Sequence, residues 1–490
     1  MSAATVVIGS EVNELVAAHY LARAGHRVVV LEQHRSAADD GIVASGWVPP
    51  RIVRDLGLGD ALAVERRDPW IAAALPDGER LELWSDPARS IEAIRRFSPW
   101  DAERWPAFCH AMSRSARILE GLYTAPPPDF MTTKFRDSAR LAASALRVRR
   151  LGRHGMAQFL RLLPMSVADF LDDHFRCEAL KTLLGGAGIL RLAQGPRSGG
   201  TALRLLHHHV GNPPGVFRPR ASNIRQILAR RPGIAVRHDA RVSRIEVRDG
   251  RVGGVVLESG EAIDAAWIAC GSDPRRLFLD WLEPEVLDAG FLRCVRHIRC
   301  RGVVARVRAD VARSPGFGAL TTAVSLDDLE RAYDHAKYGA ISEHPYLEAC
   351  VRGGSGEGVY VDIDVQYAPY RLSDGVWDAA RRNALAERAV RTLDAAAPGF
   401  AKLVTACTVL APPDLETRYG FPEGQAEHAE PALDQLLWMR PIPDWSSYRT
   451  PIAGLYLCGP GTHPGAAIAG AAGANAARIM LSDGRGRRSG

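Results

Sequence analysis

The chain begins with a run of β-branched residues, TVVIG (5–9), that reads as a buried strand. In NELVAAHYLARAG (13–25), Leu15, Ala18, Tyr20, Leu21 and Ala22 then recur at helical spacing and stop at Gly25, a natural C-cap. HRVVVLEQH (26–34) returns to a strand that ends in Glu32. A strand, turn, helix and strand of this length, closed by an acid, is the outline of a Rossmann-type nucleotide unit. In such a unit the acid holds the ribose hydroxyls, and Glu32 is placed for that role.

Two later tracts extend the pattern. Residues 233–274 read as short strands broken by Asp249-Gly250 and Ser259-Gly260 turns, with AAWIACGS returning to the sheet. Residues 454–481 read as a strand, a glycine-rich turn and a small-residue helix whose N-terminus favours anions. Between them, residues 76–214 are mainly helical by pattern, as in VADFLDDHF and EALKTLLGGAGILRLA. Residues 286–430 mix strands such as GVYVDIDVQYAP with the long helix of DGVWDAARRNALAERAVRTLDAAAP. The expected architecture is α/β. A nucleotide domain is assembled from 1–75, 215–285 and 431–490, and a substrate or cap domain from 76–214 and 286–430. The tail DGRGRRSG is expected to be disordered.

With 490 residues the chain can build two or three domains with large cores. A net charge of +6 is mild for this length, and no zinc-ligand spacing or aromatic-interleaved basic stretch points to nucleic acid. No signal-peptide pattern precedes the first strand. The eight scattered cysteines form no C-x-x-C pair, which suits reduced thiols in a cytoplasm and argues against a metal site. His207-His208-His209 point in different directions on a helix and lack a ligand at return spacing, so a structural or partner-facing role is expected. Residues 134–161 hold eight Lys or Arg against one Asp. With Leu141, Ala145, Leu146 and Leu151 as an apolar stripe, this segment reads as a helix with a solvated basic face; contact with a membrane surface is the alternative.

The N-terminal unit, DARVSRIEVRDGRVGGVVLESG and LYLCGPGTHPG…GANAAR carry a family resemblance, as do MSVADFLDDHF, GPRSGGTALRLLHHHVG, VQYAPYRLSDGVWDAARR and ALDQLLWMRPIPDWSSYRTPIAGLYLCG. Over nearly its whole length the chain resembles the phytoene-dehydrogenase-like branch of the FAD-dependent amine-oxidase superfamily. The resemblance implies a discontinuous Rossmann-type FAD-binding fold with an α+β substrate domain carrying a mixed β-sheet. It also implies hydride removal from a C–C or C–N bond, often of an apolar substrate. By position, Gly9 and Ser10 match the pyrophosphate turn, Glu32 the ribose acid and Val242 the residue that meets adenine through its backbone. Gly459, Gly461 and Thr462 match the C-terminal flavin motif, with Ala467 at its end. His463 falls beside the flavin by the same resemblance; a turn histidine bonded to backbone is the other reading.

The family pattern breaks at the flavin's own contacts. The second and third glycines of G-x-G-x-x-G are Glu11 and Glu14. The second glycine lets backbone approach the pyrophosphate and the third lets helix pack on strand. A glutamate charge ~4 Å from a diphosphate charge would repel it by about 4 kcal/mol at an effective dielectric near 20, roughly a thousandfold in affinity. The Gly-Gly pair that follows the ribose acid in the family is here Asp39-Asp40. The Gly-Gly-Met-Gly type turn is Arg220-Ala221-Ser222-Asn223, HPGGG is His463-Pro464-Gly465-Ala466-Ala467, and FHGE is Glu427-His428-Ala429-Glu430.

These departures motivate an expectation that Glu11 or Glu14 occludes the anion site at the helix N-terminus, where a carboxylate is itself stabilised. On that reading FAD is weak or absent. The protein then serves either as the non-flavin member of a hetero-oligomer with an intact flavoprotein homologue or as a binder of an apolar small molecule. The alternative is an active FAD-dependent dehydrogenase or oxidase with an atypical turn. A third reading, isomerisation or hydration without flavin, finds no acid–base dyad in the sequence. Tyr448 and Trp445 are expected to pack beneath the last strand rather than line a cavity.

Overall fold

The structure, a computed structural model, describes residues 4–35, 42, 44–75, 78–127, 135–354 and 357–486. Two seven-stranded sheets organise it. The first contains β1 (Ala4–Ile8), β2 (Val28–Leu31), β3 (Ala235–Arg237), β4 (Val242–Arg248), β5 (Arg251–Leu257), β6 (Ala262–Cys270) and β7 (Leu455–Leu457). Their order is β3-β2-β1-β6-β5-β4, with β7 also on β6. β1, β2, β3, β6 and β7 pair in parallel, while β4, β5 and β6 form an antiparallel meander. Parallel strands buried on both faces need continuous apolar runs, and Val6, Val7, Val30, Ile268 and Ala269 are fully buried.

Helix α1 (Val12–Arg23) links β1 to β2 and buries Leu15, Val16, Ala18 and Leu21. It packs on the C-terminal helix Ala471–Gly486 so closely that a Cβ at Gly473 would lie 1.8 Å from the Asn13 carbonyl oxygen. That helix takes in residues 483–486 of the tail expected to be disordered; the rest of the tail lies outside the described residues.

The second sheet runs Val404–Leu410, Val304–Val311, Glu357–Gln366, Tyr346–Gly354, Ala319–Thr321, Ile71–Ala74, Arg80–Leu83. Its neighbours are antiparallel except for the parallel pair of Ala319–Thr321 with Ile71–Ala74, so the sheet is mixed as the family pattern implies. Ile71–Ala74 was expected in the nucleotide piece 1–75, yet it belongs to the second sheet. Its parallel partner starts at Ala319, and a pairing that distant leaves no local trace in four residues of IAAA. The helices between residues 87 and 209 enclose a core built on Trp105, Phe108, Phe175 and Phe217. The long helix Ala379–Ala396 packs on the second sheet through Leu385, Ala389 and Leu393.

The basic segment forms two helices, Phe135–Arg149 and Gly152–Leu162. Its stripe is no buried seam: Ala145 and Leu146 are exposed, while Leu141 and Leu151 are half-buried. No helix among the described residues is long and apolar enough to cross a membrane. All eight cysteines are free, four of them buried.

Candidate functional site

A cleft of about 620 Å³ opens where β1, β2 and β6 end. Gly9, Ser10, Glu11, Glu14, Glu32, Val242 and Ala467 all line it. Gly459, Gly461 and Thr462 do not. They brace it from behind: a Cβ on Gly459 would lie 2.1 Å from the Gly271 carbonyl oxygen, and one on Gly461 2.6 Å from Pro274. Thr462 is buried, its hydroxyl donating to the Gly459 carbonyl at 2.8 Å. From that motif it is Pro460 and Gly465–Ala467 that reach the cleft. The segment holding Asp39-Asp40 lies outside the described residues.

Glu32 follows β2 and is buried. One of its oxygens accepts from the Ser10 hydroxyl at 2.5 Å and the other from the His34 amide at 2.9 Å. Each oxygen keeps lone-pair capacity for a further donor such as a ribose hydroxyl.

The two turn glutamates have different fates. Glu14 is 2 % exposed and sits behind the turn, between the ends of β1 and β6. A Cβ on Gly271 would meet its Oε1 at 2.0 Å, so the glycine after β6 makes room for it. Its Oε2 is buried without a hydrogen-bond partner. Burial pushes its pKa up to about 8, aided by Glu11 and Glu32, so the side chain is neutral at pH 7. Glu11 is the N-cap residue of α1 but makes no capping bond through its side chain. That side chain is 68 % exposed and turned to Arg225, whose Nε lies 3.1 Å from the carboxylate and 3.2 Å from the Ser10 carbonyl oxygen. The charge expected from Glu14 is therefore absent at neutral pH, and that of Glu11 is paired and solvated. Arg225, on the helix Ile224–Arg230 from a distant tract, was not visible as a site residue in the sequence.

The cleft carries six arginines (Arg35, Arg225, Arg241, Arg276, Arg352 and Arg418) against Glu11, Glu32, Asp362 and the neutral Glu14. Its field favours a polyanion. Trp281, Tyr360, Tyr419 and Phe421 add aromatic surface.

A second, inner cavity of about 150 Å³ adjoins the cleft and shares Ile42, Ala44, Ala221, Arg352 and Ala467 with it. It lies between the second sheet and the helical insert, and its lining is charged where an apolar substrate had been expected. Arg306 donates to Asp364 at 2.7 and 2.9 Å, Arg218 to Glu348 at 2.7 Å, and Arg67 to Glu65 at 2.5 Å. Glu427 is paired behind the wall with the buried Arg204. The segment 427–429 is fixed by Arg440, whose Nη2 donates to its three carbonyls at 2.6–3.3 Å.

His463 stands outside both cavities. Its Nε2 lies 3.1 Å from the Leu122 carbonyl oxygen, and burial lowers its pKa to about 4, so it is a backbone-bonded turn histidine. Tyr448 is fully buried with its hydroxyl on the His463 carbonyl at 2.8 Å, and Trp445 packs on Phe291, so both serve packing. His207, His208 and His209 are buried, and each has a ring nitrogen on a backbone carbonyl. They face the interior rather than a partner, and no metal-binding cluster occurs among the described residues.

No family model matches the chain. Putrescine oxidase in complex with putrescine has a similar fold, with TM-score 0.59 and 14% identity over 98% of both chains. This likeness defines the class: an FAD-dependent oxidoreductase fold. Pyridine nucleotide-disulfide oxidoreductase domain-containing protein 2 of Mus musculus is 30% identical, covering 98% of this chain and 93% of its own. One of the subunits of limonene dehydrogenase from Castellaniella defragrans is 25% identical, covering 98% and 94%. The chain belongs to the family of pyridine nucleotide-disulfide oxidoreductase domain-containing protein 2, in the phytoene-dehydrogenase-like branch of the FAD-dependent amine-oxidase superfamily.

Proposed function

We propose that this protein is an FAD-dependent oxidoreductase that holds the dinucleotide along the outer cleft despite its altered turn. The observation that carries this reading is the state of the two glutamates. Glu14 is neutral and tucked behind the turn, and Glu11 leans away to Arg225. Neither presents an uncompensated charge to a diphosphate at the N-terminus of α1, where backbone N–H groups favour anions. Gly9 and Ser10 would flank the diphosphate, Glu32 would take the ribose hydroxyls and Val242 would meet the adenine. Bound FAD would supply hydride acceptance from a C–C or C–N bond. The chain's own contribution is a cationic cleft, a fixed ribose acceptor and an inner chamber next to Ala467. The cytoplasmic setting expected from the scattered thiols belongs to the same reading.

A second reading has one specific observation in its favour. Glu11 places a side chain where the family keeps a glycine for close backbone approach. The non-flavin member of a hetero-oligomer with an intact flavoprotein would tolerate this, and the limonene dehydrogenase relative is by its name one component of a multi-chain enzyme. FAD titration of the wild type and of an E11G/E14G variant separates the two. The first reading expects saturable FAD binding with affinities within about tenfold of each other. Wild-type protein that refuses FAD, with a variant that gains roughly a thousandfold, would establish occlusion instead.

A further inference from the structure

The inner cavity contains polar groups that nothing else in the protein satisfies. Arg67 Nη2, Trp70 Nε1, His208 Nε2 and Glu427 Oε2 are buried without a hydrogen-bond partner among the described residues, and all four residues line this chamber. Trp70, His208 and Glu427 are 7 %, 2 % and 3 % exposed. Orphans of this kind are costly unless a ligand or water completes them. Two are donors, on Arg67 and Trp70.

The other two are acceptors. His208 Nδ1 lies 2.8 Å from the Ala187 carbonyl oxygen, which can only accept, so Nδ1 carries the proton. Burial, with Arg204 and His207 nearby, holds the ring neutral, which leaves Nε2 as a bare lone pair. Glu427, paired with Arg204, offers its free carboxylate oxygen.

Charge narrows the choice of ligand. Six arginines line the chamber (Arg67, Arg191, Arg218, Arg220, Arg306 and Arg352) against four carboxylates, and one of these, Glu427, is neutralised from behind. An anion is favoured over a zwitterion or an amine. The size, about 150 Å³, is well below the 300–1,000 Å³ of drug-sized sites and has no room for a long apolar chain.

We propose that the chamber binds a small hydroxylated carboxylate of the size of glycerate, its carboxylate taken by Arg67 and Trp70 and its hydroxyls donating to His208 and Glu427. The inference names the substrate class of the proposed oxidoreductase and rests on reading the adjoining cleft as the flavin's seat. Its test is independent of flavin. FAD-free protein is titrated calorimetrically with glycerate, lactate, serine, putrescine and limonene, and the same preparation is titrated separately with FAD. Glycerate is expected to bind saturably, lactate several-fold more weakly for want of one hydroxyl, and serine at least roughly tenfold more weakly because its ammonium cancels the charge. Arg67→Met should weaken glycerate roughly tenfold or more, and Trp70→Phe, which removes a single donor and keeps the ring, several-fold. Both variants should keep the wild-type unfolding midpoint within a few degrees, and serine and lactate serve as ligand-side controls should either fail to fold. Absence of glycerate binding, glycerate binding unchanged in Arg67→Met, or tighter binding of putrescine, serine or limonene would overturn the inference. Failure of FAD to bind while glycerate does would sink the flavin reading alone.

Discussion

Replacing Glu14 by glutamine tests the electrostatics of the turn most sharply. The carboxyl is 2 % exposed and its pKa rises from 4.5 to about 8, first through burial. Because the folded value lies above the unfolded one, the folded chain keeps a proton that the unfolded chain releases between those values. The neutral form's contribution is complete below about pH 4.5 and is lost as the pH rises to about 8. Each tenfold in proton affinity is worth about 1.4 kcal/mol, and pH 7 lies about 2.5 above the unfolded value. The wild type should therefore surrender about 3 kcal/mol between pH 4.5 and 7. Glu14→Gln keeps the shape and removes the titration. It should leave stability near pH 5 almost unchanged and raise it by about 1–3 kcal/mol at pH 7–8. Urea midpoints of the two proteins, followed by tryptophan fluorescence across this range, give the comparison. Parallel pH profiles for wild type and variant would refute a buried, protonated Glu14.

Other perturbations have equally definite outcomes. Arg204 and Glu427 form an ion pair whose side chains are 1 % and 4 % exposed. Arg204→Met leaves the carboxylate buried and unpaired and should cost about 3–5 kcal/mol by chemical denaturation. Gly473→Ala drives a methyl to 1.8 Å from the Asn13 carbonyl oxygen, so the two helices must part, costing about 1–3 kcal/mol in the same assay. Gly260→Ala, where a Cβ meets nothing within 4 Å and only the left-handed backbone resists, should cost about 1 kcal/mol.

The sequence made the nucleotide unit readable because its signals are local. A β-branched run, a helical repeat ending at Gly25 and an acid after the second strand all fall within about 30 residues, and the structure places each as read. The charge state of Glu14 was not local. Its neutrality depends on Gly271 and the ends of two strands that close around it, and residue identity alone says only that glutamate is acidic. Arg225 and the glutamate it pairs with are more than 200 residues apart. The inner chamber escaped the sequence for the same reason. Arg67, His208, Glu348 and Glu427 come from four separate stretches, and only the mixed sheet and the helical insert bring them to one wall.

The flavin content of the purified protein bears most directly on the account. A single visible spectrum, taken after gel filtration and again after incubation with FAD, suffices. The account predicts flavin absorbance that travels with the protein at about one FAD per chain. Protein that stays colourless in both samples would contradict it.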